Sequence, residues 1–225
     1  MKKITVLFFI LSSYLITAQT TYTYTGDGNW FTAANWSPSI PSLVINSGDE
    51  IIINGNLTIT SISPIINGTM TINGSFLPLG PFTNDGTINN YGNYNGPSIN
   101  NSNGATFINH PGAQITARID NYGTFINQST ITLSFPTLLN NQGTFTNEGT
   151  MINTPNSGTL SYTWVTSGAT SSFINIGSIE NQTGAELLIT AEATFTNQAS
   201  GSINNQGTFW IGNFLGITGY LTNEG

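Results

Sequence analysis

The sequence predicts an all-β protein, a single-stranded parallel β-helix (β-solenoid) with coils of about 18–20 residues. Three observations predict this fold. Segments of the form Gly-Thr-Phe-Thr-Asn recur, large apolar residues return at intervals near 19, and asparagines close each segment at the same interval. Several short strands within one such period are typical of a solenoid, in which each unit buries its apolar side against the next.

The glycines that open the repeat set its period, because their sequence numbers rise in steps of 18, 19 and 20. Glycine is expected to supply the positive φ of a sharp corner. Asparagine tolerates the same conformation and can hydrogen-bond to its equivalents along a stack. The predicted corner residues are the glycines Gly86, Gly104, Gly123 and Gly143 and the asparagines Asn89, Asn109, Asn127 and Asn147.

Alternation along each segment assigns the large apolar residue to the interior. In Thr144-Phe145-Thr146 the phenylalanine points one way and both threonines point the other. The residue between Asn and Gly varies from corner to corner, so we expect it to point outward. Right-handed coils are favoured, since left-handed hexapeptide helices keep a stricter six-residue interval. The predicted core comprises Ile88, Phe107, Phe125, Phe145, Phe195 and Phe209.

The chain begins with the pattern of a secretory signal peptide. Lys2 and Lys3 precede an apolar run over residues 4–16, and Ala18 offers a small residue for cleavage. The run is too short for a convincing membrane span. We therefore predict a signal peptide at 1–18, a capping segment with the first coils at 19–60, and solenoid repeats at 61–225. The mature chain is expected to be secreted or held at the outer cell surface without inserting into the membrane.

The stretch TGDGNWFTAANWS carries a family resemblance. Its Trp30 is followed by Asn35-Trp36-Ser37, then by Pro41, Gly48-Asp49 and the run Ile51–Ile53. This order is similar to the opening of many secreted β-helix exoproteins of Gram-negative bacteria, including autotransporter-passenger-like and adhesin-like proteins. The resemblance covers the chain from its start to about Gly80. It implies a secreted β-helical architecture and leaves the activity open.

Trp30 and Trp36 are predicted to form an N-terminal cap. A terminal coil exposes its apolar interior, and solenoids cover that end with an atypical segment. Two indole rings have enough apolar area to close it. The alternative is that the pair stacks against a carbohydrate.

Charge and composition exclude several function classes. The chain has no cysteine, so it has neither a disulfide framework nor thiolate metal sites. Once Lys2 and Lys3 leave with the signal peptide, one basic residue faces ten acidic ones, a formal charge of −9. Such a chain cannot neutralise phosphates, so nucleic acid is not an expected partner. An anionic membrane surface would repel it as well.

The ionisable residues do not cluster as catalysis requires. His110 precedes a Pro-Gly turn, and Arg118 and Asp120 lie two apart on one predicted strand, where they form a surface ion pair or half of a polysaccharide-lyase site. We predict no catalysis, no metal and no cofactor. The predicted role is structural or adhesive, as a rigid rod that binds glycans or cell-surface proteins or serves as a stalk. The alternatives are a polysaccharide-active enzyme and an ice-binding solenoid that uses outward threonines.

The last four residues, Thr222–Gly225, repeat the corner Thr146–Gly149. At the earlier corner the chain continues directly into a strand. An uncapped coil leaves strand edges open, and such edges recruit other chains. We therefore predict further coils beyond this sequence, or else end-to-end self-association.

Overall fold

A computed structural model describes residues 19–133, 139–155, 164–189, 192–212 and 220–223. The predicted signal peptide lies outside these residues, as do the last two positions of the C-terminal corner. The described chain forms parallel sheets stacked as a β-solenoid of about eight turns, with one 3-10 helix at Ala33–Asn35. The predicted fold class is therefore confirmed.

The strands are short, and most have four residues. In the first half of the chain they are β1 (Thr21–Tyr24), β2 (Asp27–Asn29), β3 (Trp36–Ser37), β4 (Val44–Ile45), β5 (Glu50–Ile53), β6 (Asn56–Ile59), β7 (Ile65–Ile66), β8 (Thr69–Ile72), β9 (Ser75–Pro78), β10 (Phe82–Asn84), β11 (Thr87–Asn90), β12 (Asn93–Asn101), β13 (Thr106–Asn109) and β14 (Gln114–Asn121). In the second half they are β15 (Thr124–Asn127), β16 (Thr130–Leu133), β17 (Leu139–Asn141), β18 (Thr144–Asn147), β19 (Thr150–Asn153), β20 (Trp164–Thr166), β21 (Ser172–Asn175), β22 (Ser178–Asn181), β23 (Glu186–Ile189), β24 (Thr194–Asn197), β25 (Ser202–Asn205), β26 (Thr208–Ile211) and β27 (Tyr220–Asn223).

Each coil contributes strands to three faces. The first face is the sheet β3-β1-β5-β8-β11-β13-β15-β18-β21-β24-β27, and the second is β2-β6-β9-β12-β14-β16-β19-β22-β25. The third face follows the order β4-β7-β10-β12-β14-β17-β20-β23-β26. The long strands β12 and β14 belong to both the second and the third face, because they cross from one to the other and remain paired with each other.

The interior of the first face is a column of aromatic rings. Phe107, Phe125 and Phe145 are fully buried, and their ring centroids lie 4.7 and 4.9 Å apart with nearly parallel planes. Phe173 and Phe195 continue the column at 4.9 and 5.1 Å. Ile88 lies in the same row one coil before Phe107 and is also buried. Phe209 differs: it is half-buried on the third face and packs edge-on against Phe195.

Asparagine ladders fill the corners of the stack. Asn109 donates from Nδ2 to Oδ1 of Asn127, and Asn127 donates to Asn147, both at 2.8 Å. All three side chains are buried, so these bonds supply the partners that water cannot. Corresponding ladders occupy all three corners, and each ladder lies where the strands of one face end. Their members are Asn90, Asn109, Asn127, Asn147, Asn175, Asn197 and Asn223 at the end of the first face, Asn84, Asn101, Asn121 and Asn141 at the end of the third face, and Asn153, Asn181 and Asn205 at the end of the second face.

The prediction that Asn89 belongs to the corner row is wrong. Asn90 pairs with Asn109 in the stack, whereas Asn89 pairs with Ile108. The side chain of Asn89 therefore points outward, and its Oδ1 lies 3.1 Å from Nε2 of His110. Two consecutive asparagines fit the observed period equally well, so spacing alone did not choose between them.

The predicted conformation of the corner glycines is also wrong. Gly86, Gly123 and Gly143 are not among the glycines with positive φ. Glycine is required there because the stacked corners touch, and a Cβ on Gly143 would lie 2.2 Å from the carbonyl oxygen of Gly123. Gly104 does have positive φ, +83°, but Ala105 takes its place in the stack over Gly86. That corner contains two extra residues, because four residues separate the paired positions Asn101 and Thr106 where two separate Asn84 and Thr87. Gly104 allows the turn in which the N–H of Ala105 donates to the carbonyl oxygen of Ser102.

Coil length follows the prediction through the middle of the chain and then increases. The first-face core residues Met70, Ile88, Phe107, Phe125 and Phe145 follow one another in sequence steps of 18, 19, 18 and 20. The step then lengthens to 28 between Phe145 and Phe173 and to 22 between Phe173 and Phe195. The later coils therefore carry longer connections between strands that remain in register.

Trp30 and Trp36 lie together at the N-terminal end of the stack. Their ring centroids are 5.0 Å apart in an edge-to-face arrangement, and Nε1 of Trp36 donates to the carbonyl oxygen of Trp30 at 2.6 Å. Both side chains are buried, and Tyr24 packs edge-on against Trp36. The chain then returns along β1 as the antiparallel strand β3, which covers the outer edge of the first face. This placement suits a cap and leaves almost no indole surface for stacking on a ligand, since Trp30 is 0% and Trp36 is 6% exposed.

Candidate binding groove on the third face

A bulge in β12 shapes a groove on the third face. Pairing between β12 and β14 shifts register between Asn95 and Ser98, at the Gly96-Pro97 dipeptide. The buried Tyr94 fixes this bulge, because its hydroxyl donates to the carbonyl oxygen of Ser98 at 3.1 Å. Burial raises the pKa of Tyr94 well above its ordinary value, so the hydroxyl keeps its proton and remains a donor.

The floor of the groove is an outward row of polar side chains on neighbouring coils. Asn100 pairs with Asp120, and Asp120 pairs with Asn140. Parallel strands lie about 4.8 Å apart, so the three side chains form a continuous line. Asn140 donates from Nδ2 to Oδ1 of Asp120 at 3.3 Å.

Arg118 and Asp120 form a two-point ion pair, as their spacing on one strand predicts. Nε of Arg118 lies 2.8 Å from Oδ2 of Asp120, and Nη2 lies 2.9 Å from Oδ1. The hydrogen bond to Asp120 raises the pKa of Arg118 further, so the guanidinium is charged at every physiological pH. The arginine side chain is 43% exposed, and such a pair contributes at most about 1 kcal/mol to stability.

The groove has a volume of about 450 Å³ and a mixed set of polar groups. The guanidinium presents further N–H donors beyond the two directed at Asp120. Oδ1 of Asn100 is buried without a hydrogen-bond partner, which is unusual for a polar atom in a native structure. Tyr122 borders the groove and is 41% exposed.

A second trough of about 320 Å³ continues past Tyr122 around the corner onto the first face. Its floor is formed by the corner glycines Gly104, Gly123 and Gly143, which have no side chains to fill it. Thr124 and Thr144 border it on the first face. Tyr122 thus stands between two contiguous depressions that run across three coils.

The ionisable groups near the groove are few, and they pair with each other. The single cation of the groove is neutralised by the single carboxylate beside it. His110 lies at a different corner, where its ring stacks on Tyr91 at a centroid distance of 4.0 Å. Within the part of the chain that the structure describes, no three His, Cys, Asp or Glu residues come together as metal ligands would.

Sequence reasoning identified Arg118 and Asp120 but missed Asn100, Tyr122 and Asn140. A signal for them was present. Asn100, Asp120 and Asn140 follow one another in sequence steps of 20, and each precedes a ladder asparagine, in the dipeptides Asn-Asn, Asp-Asn and Asn-Asn. The same interval that defines the core row therefore also defines an outward row.

Comparison with known proteins gives no assignment. No protein-family description matches the chain, and no curated protein or solved structure is significantly similar to it. Among the described residues, none of the helical structure is long and apolar enough to cross a membrane. The fold itself defines the class: a parallel β-solenoid with asparagine-laddered corners and a polar groove on its third face.

Proposed function

We propose that this protein is a secreted or cell-surface β-solenoid that acts as a structural or adhesive rod, presenting binding surface without catalysing a reaction. The observation that carries the proposal is the groove beside Tyr122, which is lined by hydrogen-bonding groups and whose only charges cancel in the Arg118–Asp120 pair. A contact surface needs such groups, whereas acid–base chemistry needs a group that can exchange protons near neutral pH.

The stacked interior supports the rod part of the proposal. Each coil is joined to the next by backbone hydrogen bonds on three faces, by aromatic contacts such as Phe125–Phe145, and by amide bonds such as Asn127–Asn147. In a solenoid the coils contact only their neighbours, so such repeated contacts set the stiffness of the whole.

An adhesion assay tests the proposal. Beads coated with the purified chain are expected to adhere to bacterial or epithelial cell layers more strongly than albumin-coated beads. Incubation of the same preparation with pectin, alginate or hyaluronan is expected to release no fragments. Polymer cleavage by the purified chain, or adherence no greater than that of albumin beads on every surface, would contradict the proposal.

One observation favours ice binding as a second candidate. The first position of the first-face strands is an outward threonine in five successive coils, Thr69, Thr87, Thr106, Thr124 and Thr144. The neighbouring outward row is less uniform, because it contains Asn89, Ile108 and Ile126. Because this interruption leaves no flat array of threonines two rows wide, ice binding is the second candidate after the adhesive role. A thermal-hysteresis measurement decides between the two, since an adhesive rod is expected to leave the freezing point of its solution unchanged.

A further inference from the structure

We propose that the two contiguous depressions that meet at Tyr122 form one binding site for a neutral oligosaccharide. This inference rests on the proposed adhesive function and names the ligand class for it. The site extends from the polar row of Asn100, Asp120 and Asn140 on the third face to the glycine-floored trough on the first face.

The shape of the site fits a chain rather than a compact molecule. The two depressions have volumes of about 450 and 320 Å³, both are open to solvent, and both include Tyr122 in their walls. A compact ligand would fill one of them. A linear ligand of several sugar units would occupy both and would cross Tyr122 between them.

The hydrogen-bonding groups fit hydroxyls. Each sugar hydroxyl both donates and accepts, so it needs donors and acceptors side by side. The site offers the outer N–H groups of Arg118, the carboxylate of Asp120 and the amides of Asn100 and Asn140. Oδ1 of Asn100 is buried and has no partner within the protein, so this amide gains a hydrogen bond if it turns toward a ligand hydroxyl in the groove.

Tyr122 supplies the apolar contact. It is the outward residue of the corner Asn121-Tyr122-Gly123, and a substantial part of its ring faces solvent between the two depressions. Aromatic rings with a polar end suit ligands that are apolar on one face and wet on the other, as a pyranose ring is.

The electrostatics select a neutral ligand. The guanidinium of Arg118 is already paired with Asp120, so no uncompensated cation is available for a carboxylate or sulfate group. The whole chain carries a formal charge of −7, which repels polyanions. A cationic ligand is equally disfavoured, because the one carboxylate of the groove is satisfied by the arginine.

The test is a glycan array followed by calorimetric titration on the full chain. Uncharged hexasaccharides of glucose, mannose, xylose and N-acetylglucosamine are compared with hexagalacturonate. We expect at least one uncharged hexasaccharide to bind and hexagalacturonate to give no signal. Binding of hexagalacturonate alone, or of no uncharged hexasaccharide at millimolar concentration, would overturn the proposal.

A matched pair of tyrosine variants locates the site. Tyr91 occupies the same outward slot in the corner Asn90-Tyr91-Gly92 and is similarly exposed, 49% against 41% for Tyr122. Tyr122→Ala is expected to weaken hexasaccharide binding by about tenfold or more, as truncation of a central aromatic contact does. Tyr122→Phe keeps the ring and should retain most of the affinity, and Tyr91→Ala should leave it unchanged. Equal affinity of the Tyr122→Ala and Tyr91→Ala variants would refute this location.

The adhesion assay separates the two proposals. If beads coated with the Tyr122→Ala variant adhere as well as those with the original chain, the oligosaccharide site is wrong and the adhesive function stands. If the original chain adheres to nothing yet binds a hexasaccharide through Tyr122, the site is right and the adhesive role is wrong.

Discussion

The early coils and the later coils hold their corners in different ways. At the corner that ends the first face, Ile53 and Ile72 are buried in the early coils, and Asn90 and Asn109 take the same stacked positions afterwards. The same replacement occurs at the third face, where Ile66 is followed by Asn84. Aliphatic burial and a hydrogen-bonded amide thus fill the same space by different means.

The difference teaches where an amide ladder is costly. Every ladder amide donates toward the following coil, so the carbonyl of a first member has no amide before it from which to accept. In the stack, Asn90 pairs with Ile72 of the preceding coil, and Asn153 pairs with Leu133 of the preceding coil. Oδ1 of each asparagine is buried without a partner. Such an atom costs about 1–3 kcal/mol at the start of these two ladders, whereas each further coil adds a satisfied bond. The ladder that starts at Asn84 avoids this cost, because Oδ1 of Asn84 accepts from the N–H of Gly86 at 3.1 Å. Long uninterrupted ladders are therefore favoured over short ones.

The largest expected effect comes from breaking the aromatic column of the later coils. Phe145→Asp would bury a carboxylate between Phe125 and Phe173 with no partner, and we expect a loss of about 5 kcal/mol in the free energy of unfolding. Thr146→Asp, one residue further, places the same charge outside and should change stability little. Thermal melts of the two variants provide the check, and equal losses would show that the inward assignment is wrong.

The next effect concerns how closely the corners approach. A methyl group on Gly143 would meet the carbonyl oxygen of Gly123, so Gly143→Ala should cost about 3 kcal/mol as the coils separate. At Gly104 no atom lies within 4 Å of an added Cβ, and Gly104→Ala should cost only about 1–2 kcal/mol from its positive φ. Urea denaturation measures both. A larger loss at Gly104 than at Gly143 would show that backbone conformation, not contact, governs these corners.

A smaller effect on stability is expected from replacing a ladder asparagine, and its size should depend on whether the asparagine lies inside the ladder or at its start. Asn127→Leu removes the amide that donates to Asn147 and so leaves the side-chain carbonyl of Asn147 unpaired. In Asn90→Leu the number of unpaired carbonyls does not change, because the one at Asn90 is lost and the one at Asn109 is left without its donor. We expect the interior variant to lose about 1–3 kcal/mol more than the terminal one. Chemical denaturation of the two leucine variants gives this difference directly. Equal losses would mean that the amide bonds contribute no net stability beyond shape.

The smallest expected effect depends on pH. Desolvation lowers the pKa of His110, partly offset by a side-chain hydrogen bond with Gln128, so the folded state favours the neutral ring. The unfolded chain binds the proton more readily, and stability should therefore fall slightly as pH drops from about 7.5 to 5.5 through the ordinary histidine value near 6.5. His110→Gln should abolish this change in melting temperature. An unchanged pH dependence in that variant would exclude His110 as its source.

The core was predictable because its signal repeats. Phe107, Phe125 and Phe145 share one period and one alternation, and each coil supplies the same information again. Registers that vary by one residue were not predictable from spacing. Asn89 and Asn90 are chemically identical neighbours, and the two extra residues at the Gly104 corner change the step between core residues only from 18 to 19. The contacts across coils decide both positions.

The groove was harder to predict than the core because it depends on features that do not follow the repeat. It requires the bulge after Asn95, which moves Ser98 relative to Arg118, and it requires β12 and β14 to run through a corner. Neither feature repeats in the sequence. Glycan recognition was expected only in general terms, and its placement at Tyr122 is a proposal drawn from the structure.

The ladders also give the solenoid a net dipole along its axis. From Asn90 to Asn223, six side-chain amide bonds point the same way, each N–H toward the next carbonyl. Peptide dipoles aligned in this manner add along a helix, and chains of hydrogen bonds polarise one another. The interior of this charge-poor protein therefore carries a head-to-tail dipole parallel to its long axis, negative toward Asn90. In close side-by-side contact, where salt screens least, this dipole would favour antiparallel over parallel alignment of two copies.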